Sequence, residues 1–142
     1  LMGWAAVFGS LDTPALLLYA GSILWVIGYD TIYAHQDKED DAIVGVRSTA
    51  RLFGDNTKTW LSGLYGGALL LMAAACASAE APLPALAGLV AAAVHMTRQI
   101  RVLDINDGAQ CLRLFHSNAV VGWLIFAGFV GSGLWAVLKP MV

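Results

Sequence analysis

The sequence has 142 residues, a formal charge of −2, 58% hydrophobic residues and 13% charged ones, where an ordinary soluble domain carries roughly 45–50% apolar and about 25% charged residues. A soluble core of this size would lack the polar surface to cover it, and a pI near 5.8 leaves no basic stripe for nucleic acid. The composition describes an all-α membrane protein whose apolar stretches match the roughly 20 residues of a bilayer-spanning helix.

Residues 1–9 read as the tail of a helix already under way. Leu1 is not a start methionine, and no basic segment or cleavage motif suggests a signal peptide. The chain is therefore expected to be a carboxy-terminal piece of something longer. A first complete span covers 13–29, opened by Thr13 and Pro14 as cap and first turn. A second covers 59–79 and a third 83–101, after Pro82 and Pro84. A fourth runs from about Asn118 to Leu138 and stops at Lys139 and Pro140. The architecture expected is a bundle of four to five transmembrane helices. Small residues crowd these spans (Gly63, Gly66, Gly67, Ala73 to Ala75, Gly128, Gly131, Gly133). In lipid such residues let helix backbones approach, so the spans are expected to pack on one another.

The loops alternate in character. Asp12 marks the first turn and Glu80 the turn between the second and third spans, whereas the loops after the first and third spans are long and charged. Lys38, Arg47, Arg51, Lys58, Arg98, Arg101 and Arg113 lie in or beside those two loops, against Lys139 alone on the other side. The positive-inside rule puts the charged loops in the cytoplasm or its topological equivalent. Cys76 and Cys111 sit apart with no CxxC partner, which suggests neither a disulfide framework nor a zinc site.

The chemistry concentrates in the loop 30–58. Residues 28–41 read Gly-Tyr-Asp-Thr-Ile-Tyr-Ala-His-Gln-Asp-Lys-Glu-Asp-Asp, and the first helix is expected to continue into them. At about 100° per residue, Asp37 falls roughly 20° from Asp30, and Asp41 about 40° beyond it. Asp30, Asp37 and Asp41 would then share one face, with Asp40 beside it. Carboxylates crowded at a membrane boundary repel one another unless a cation neutralises them. Mg²⁺ suits such hard oxygen donors, typically taking one or two carboxylates, waters and substrate phosphates. The EF-hand spacing is absent. Downstream, Arg47 and Arg51 lie four apart and could face the same anion, Ser48 and Thr49 add hydroxyls, and Gly54 closes a short helix. Charge alone favours an ordinary solvated loop end.

The stretch from Tyr29 to Gly54 resembles the second aspartate-rich motif of the UbiA superfamily of intramembrane prenyltransferases. Its Tyr-Asp-Thr-x-Tyr-Ala-x-x-Asp-x-x-Asp-Asp pattern, followed by Gly-Val-Arg-Ser-Thr-Ala, is similar to the branch acting on 4-hydroxybenzoate in ubiquinone biosynthesis. Leu103-Asp104-Ile105, the run from Cys111 to Asn118, and Gly122 extend the likeness to the family's last loop and final span. The resemblance implies a nine-helix bundle of which this chain is the carboxy-terminal part. Two aspartate-rich loops would each bind Mg²⁺ and together grip the diphosphate of a polyprenyl donor, in a bacterial or mitochondrial inner membrane. Carried over by position, Asp37 and Asp41 are the catalytic metal-binding pair, and Asp30 and Asp40 are further acids of the motif. Arg47 becomes a diphosphate contact, with Arg51 and Ser48 beside it. The first aspartate-rich motif has no counterpart here, since Asn106-Asp107 is followed by Gly-Ala-Gln-Cys. The missing amino-terminal half is therefore a required partner, and the chain alone is expected to be inactive.

Other readings are blander. His35 falls off the acidic face and suits packing or a surface position. His95, Arg98 and Arg101 fit snorkelling toward headgroups, and Ser117 or Asn118 suits a helix cap. Tyr29 and Tyr33 could orient carboxylates, and the five tryptophans suit membrane anchoring or packing. A relative with another aromatic acceptor, such as a menaquinone-type precursor, is an alternative. So is a cation-binding or cation-transporting membrane subunit, although transport favours acids inside the spans rather than at their ends.

Overall fold

A computed structural model describes residues 1–138, all of them helix, turn or loop. A short helix α1 (Met2–Phe8) ends at Gly9 in the left-handed conformation. Then come α2 (Thr13–Ala34), α3 (Lys38–Val44), α4 (Thr49–Phe53), a 3-10 turn (Gly54–Asn56), α5 (Thr57–Ser78), α6 (Leu83–Val102) and α7 (Gly108–Leu138). The stop expected at Lys139 and Pro140 lies outside the described residues.

The protein is an all-α membrane protein. Three helical stretches, Thr13–Ala34, Thr49–Ser78 and Gly108–Leu138, are long and apolar enough to cross a bilayer. Helix α6 has the length of the expected third span, but its last turns carry His95, Thr97, Arg98, Gln99 and Arg101, which keeps it out of that set. On α2 only Ala15, Gly21, Gly28, Thr31 and Ile32 are buried, while Leu16, Tyr19, Ile23, Val26 and Ile27 point outward. A helix apolar on both its inner and outer faces belongs in lipid.

Helices α2 and α5 pair along their length, as do α6 and α7, and the two pairs meet through α5 with α6 and α2 with α7. Leu61, Tyr65, Met72, Leu89, Met96 and Val121 form the seam. With lipid as apolar as leucine, close packing rather than hydrophobicity drives such contacts. The α6–α7 crossing shows how close: a Cβ on Gly88 would stand 2.7 Å from the Leu124 carbonyl oxygen and 2.9 Å from the Gly128 Cα. Of the glycines expected to mediate packing, Gly67, Gly128 and Gly131 meet neighbouring helices, whereas Gly63, Gly66 and Gly133 face open space.

Both charged loops sit at one end of the bundle. His35, at the end of α2, bonds Thr57 at the start of α5; Gln99, near the end of α6, bonds Ser117 on α7; and Gly108 packs against Gln36. The gathering of seven basic residues at one end, read from the sequence, is thus realised in the fold.

Two boundaries differ from expectation. Helix α2 does not run on to Asp41: its last amides turn back to i−3 carbonyls (His35 to Ile32, Gln36 to Tyr33), and α3 starts afresh with Asp37 as its N-cap residue. Three acids, Glu39, Asp40 and Asp41, occupy the first turn of α3, where the helix dipole favours negative charge. An aspartate ahead of an acidic turn is a helix-start signal, and here it overrides continuity. Helix α7, in turn, begins ten residues before Asn118. Ser117 and Asn118 are therefore interior to it and cap nothing.

Candidate functional site

The acidic segment leaves the bundle at Ala34 and returns at Thr57. With the helix broken, Asp30 sits in the last turn of α2, Asp37 at the N-cap of α3, and Asp40 and Asp41 in its first turn. The single helical face drawn from the sequence does not exist. Among the described residues no three carboxylate, histidine or cysteine side chains converge as a cation cage. Asp30 and Asp40 are exposed, and Asp37 and Asp41 half-buried. Among the described residues the recorded ion pair is Arg113 with Asp107, at 3.9 Å, so these four acids are not neutralised by a base.

The two arginines separate in role. Arg51 donates from Nη1 to the Asp41 carbonyl at 3.1 Å and to the Val46 carbonyl, tying the end of α3 to α4. Arg47 is exposed on the connecting turn behind Gly45, whose φ of 83° ends α3 in the left-handed conformation that glycine tolerates. Its guanidinium is available to an anion. Ser48 precedes α4, and its hydroxyl is buried without a hydrogen-bond partner.

His35, given a packing or surface reading above, is buried at 4% exposure. Its Nε2 lies 3.0 Å from Thr57 Oγ1. Desolvation, and secondarily the Lys38 ammonium, lowers its pKa below the ordinary histidine value, which favours the neutral ring. A polar cavity of about 350 Å³ opens beside it, bounded by Gln36, Lys38, Glu39 and Asp40 on one loop and Asn106 on the other.

One turn into the bundle the character changes. Trp25 and Tyr29 of α2 and Phe115, His116, Asn118 and Gly122 of α7 line a largely apolar, open cavity of about 360 Å³. Tyr29 precedes Asp30, so the cavity adjoins the acidic end. Its rings contact edge to face: Trp25 with Tyr29 and Tyr29 with Phe115, both at 5.7 Å between centroids. Trp25 Nε1 donates to Asn118 Oδ1 at 3.0 Å, and the Asn118 amide donates to the Leu114 carbonyl at 3.1 Å. Gly28 makes room for the Tyr65 ring, which a Cβ there would strike.

Four carboxylates unpaired by a base and an exposed arginine thus lie at the end of the bundle where Trp25, Tyr29 and Phe115 line an apolar groove. The UbiA prenyltransferase family model matches residues 1–125. The chain belongs to the UbiA prenyltransferase family. Among its curated relatives is the 4-hydroxybenzoate polyprenyltransferase, mitochondrial, of Rattus norvegicus, 44% identical over 136 residues, which are 95% of this chain and 36% of that protein. The Homo sapiens protein of the same name is 43% identical, covering 98% of this chain and 38% of that one. The Arabidopsis thaliana protein, again of that name, is 47% identical over 92% of this chain and 32% of its own length. The chain thus spans about a third of the length of these relatives. No solved structure matches it.

Within this UbiA chain, the sequence reading passed over the cavity wall. Trp25 was given an anchoring or packing role and Asn118 a capping one, and the pair is 93 residues apart in sequence. The available signal was an amide inside an apolar span, which must find a partner away from water. Asn118→Leu is expected to strand the Trp25 N–H in the bilayer at a cost of about 1–2 kcal/mol. The check is a blue shift in tryptophan fluorescence together with a lower thermal midpoint, neither of which Asn118→Gln should show in full.

Proposed function

We propose that this chain forms the second aspartate-rich half of an aromatic prenyltransferase site, which transfers a polyprenyl group from its diphosphate to the ring of 4-hydroxybenzoate in ubiquinone biosynthesis. The observation that carries the reading is the adjacency of the acidic loop and the aromatic cavity. One end binds a diphosphate and the other receives an allylic chain. The names of the relatives support the reaction and the acceptor.

The donor set fits Mg²⁺ in the manner typical of that ion. Asp37 and Asp41 offer one or two carboxylates with no competing base, and water and phosphate oxygens complete the shell; a closed protein cage is not required. When bound, the metal neutralises charge developing on the leaving diphosphate. Arg47 would add a bidentate contact to the same phosphate oxygens, while Arg51 holds the loop and the free Ser48 hydroxyl offers a donor. Cleavage of the C1–O bond sends its electron pair to diphosphate. The allylic cation is then attacked by the ring carbon next to the hydroxyl, which loses its proton to restore aromaticity. Tyr29, Phe115 and Trp25 bound the apolar volume where that cation is shielded from water. With its charged loops in the cytoplasm or the matrix, the site would take both substrates from the basic side of a bacterial or mitochondrial inner membrane.

The half-site does not suffice for turnover on this reading, because the second metal and the facing loop come from helices outside this chain. Purified residues 1–142 supplied with Mg²⁺, polyprenyl diphosphate and 4-hydroxybenzoate are expected to yield no prenylated product. The protein at the full length of its relatives should yield it readily. Robust turnover by residues 1–142 refutes the half-site reading, and a full-length protein that prenylates only another aromatic acid refutes the acceptor.

A further inference from the structure

The acidic segment hangs from the bundle by few apolar contacts. No residue of α3 is buried, and in α4 only Ala50 is. A segment with so little buried surface opens easily unless something else holds it. Its neck is closed by buried polar atoms. His35 is 4% exposed and Thr57 fully buried. Thr57 Oγ1 donates to the Gly54 carbonyl at 2.6 Å and also meets His35 Nε2 at 3.0 Å. A hydroxyl has one proton to give; Thr57 spends it on Gly54, so it must accept from His35. The hydrogen therefore resides on Nε2, and Nδ1 is left as a bare acceptor without a partner. One turn earlier, the Thr31 and Thr49 hydroxyls meet at 2.9 Å. Both contacts join the end of α2 to the starts of α4 and α5, where the loop returns, and His35 stands two residues ahead of Asp37.

We propose that His35 is a positioning residue of the site: through Thr57 it closes the neck of the 36–56 segment and so holds Asp37 and Asp41 where metal and diphosphate are bound. This rests on the reading given under Proposed function. His35 touches no substrate; it acts through the loop.

The test uses the full-length protein, with Mn²⁺ and inorganic pyrophosphate as probes. Mn²⁺ affinity is read by paramagnetic resonance, and loop opening by amide hydrogen exchange across residues 37–46. Thr57→Val keeps the shape of the side chain but removes both the acceptor for His35 and the donor to Gly54, whereas His35→Leu removes only the donor to Thr57. Each is expected to weaken Mn²⁺ binding about tenfold and to speed loop exchange by a similar factor, the scale on which a buried donor loses its acceptor. The double variant should be no worse than Thr57→Val alone. Thr57→Ser and His35→Gln, which keep acceptor and donor, should remain near wild type in both readouts. If His35→Leu does not fold, the Thr57 pair decides alone. A folded Thr57→Val protein with wild-type Mn²⁺ affinity and wild-type exchange overturns the proposal. Asp37→Ala separates the two levels: if it binds Mn²⁺ normally, the metal reading falls and takes this role with it. If it loses Mn²⁺ while Thr57→Val does not, only the positioning role falls.

Discussion

Replacing Asp37 and Asp41 with alanine in the full-length protein is expected to abolish prenyl transfer, with a loss of at least about a hundredfold in kcat for each single variant. The estimate follows from charge. A leaving diphosphate stabilised by metal and basic groups gains several kcal/mol in the transition state, and each 1.36 kcal/mol is about tenfold in rate. Neither carboxylate carries structural weight that would confuse the result. Both are half-buried at the start of a short, otherwise unburied helix, and α3 makes no contribution to the bundle seam. Loss of activity should therefore come without loss of thermal stability, and product formation from radiolabelled polyprenyl diphosphate checks it. Because Asp37 is also the N-cap residue of α3 but makes no side-chain capping bond, Asp37→Asn is the sharper variant. It preserves shape and capping ability and removes only the charge, and it should be nearly as damaged as alanine. Unimpaired transfer by Asp37→Ala and Asp41→Ala sinks the assignment.

The class of fold was legible because hydropathy and loop charge are local properties. The runs 13–29 and 83–101 lie within α2 and α6, 59–79 overruns α5 by one residue, and the seven basic residues of the two charged loops fall at one end of the bundle. The misplaced boundaries share a cause, since neither was read from where a helix can start: α2 was carried into the acidic loop for want of a turn signal, and the last span was begun where the apolar run begins. Asp37 ahead of Glu39-Asp40-Asp41 restarts a helix in the middle of a polar run. Gly108 starts one ten residues before the span becomes apolar, so that Asn118 lies inside the bundle. The site was legible as a motif but not as a shape. The carboxylate positions come straight from the sequence, while the face they were thought to share required an uninterrupted helix. The cavity wall was legible only as an amide, Asn118, inside an apolar span; its partner was not, because the wall pairs α2 with α7 across most of the chain. Nothing local to Trp25 or Phe115 says that each borders the other's helix. His35 illustrates the same limit: its partner Thr57 lies on the far side of the loop, and only the closed neck makes the two neighbours.

The second large effect is expected far from the acidic loop, at the crossing of α6 and α7. Gly88 and Gly128 oppose each other there, and a Cβ on Gly128 would stand 2.9 Å from the Pro84 carbonyl oxygen and 3.0 Å from the Gly88 Cα. The obstructing atoms are backbone, which cannot rotate aside as a side chain would. Gly128→Leu must therefore push the helices apart, with a destabilisation of about 3 kcal/mol or more, at the upper end of overpacking costs. The displaced helix is the one that carries Phe115, His116 and Asn118 to the cavity, and the Ser132 hydroxyl on it bonds the Pro82 carbonyl at 3.0 Å. Moving α7 off α6 thus breaks that tie and shifts the cavity wall against Trp25 and Tyr29. The full-length Gly128→Leu protein should unfold at a markedly lower temperature and lose most of its transfer activity, while Gly133→Leu, whose Cβ would meet nothing within 4 Å, should be close to wild type in stability. Equal melting temperatures for the two variants would show that the α6–α7 contact does not hold the bundle together. If only Gly128→Leu melts early, the close approach of two backbones is what fixes α7, and through α7 the aromatic wall against Trp25 and Tyr29.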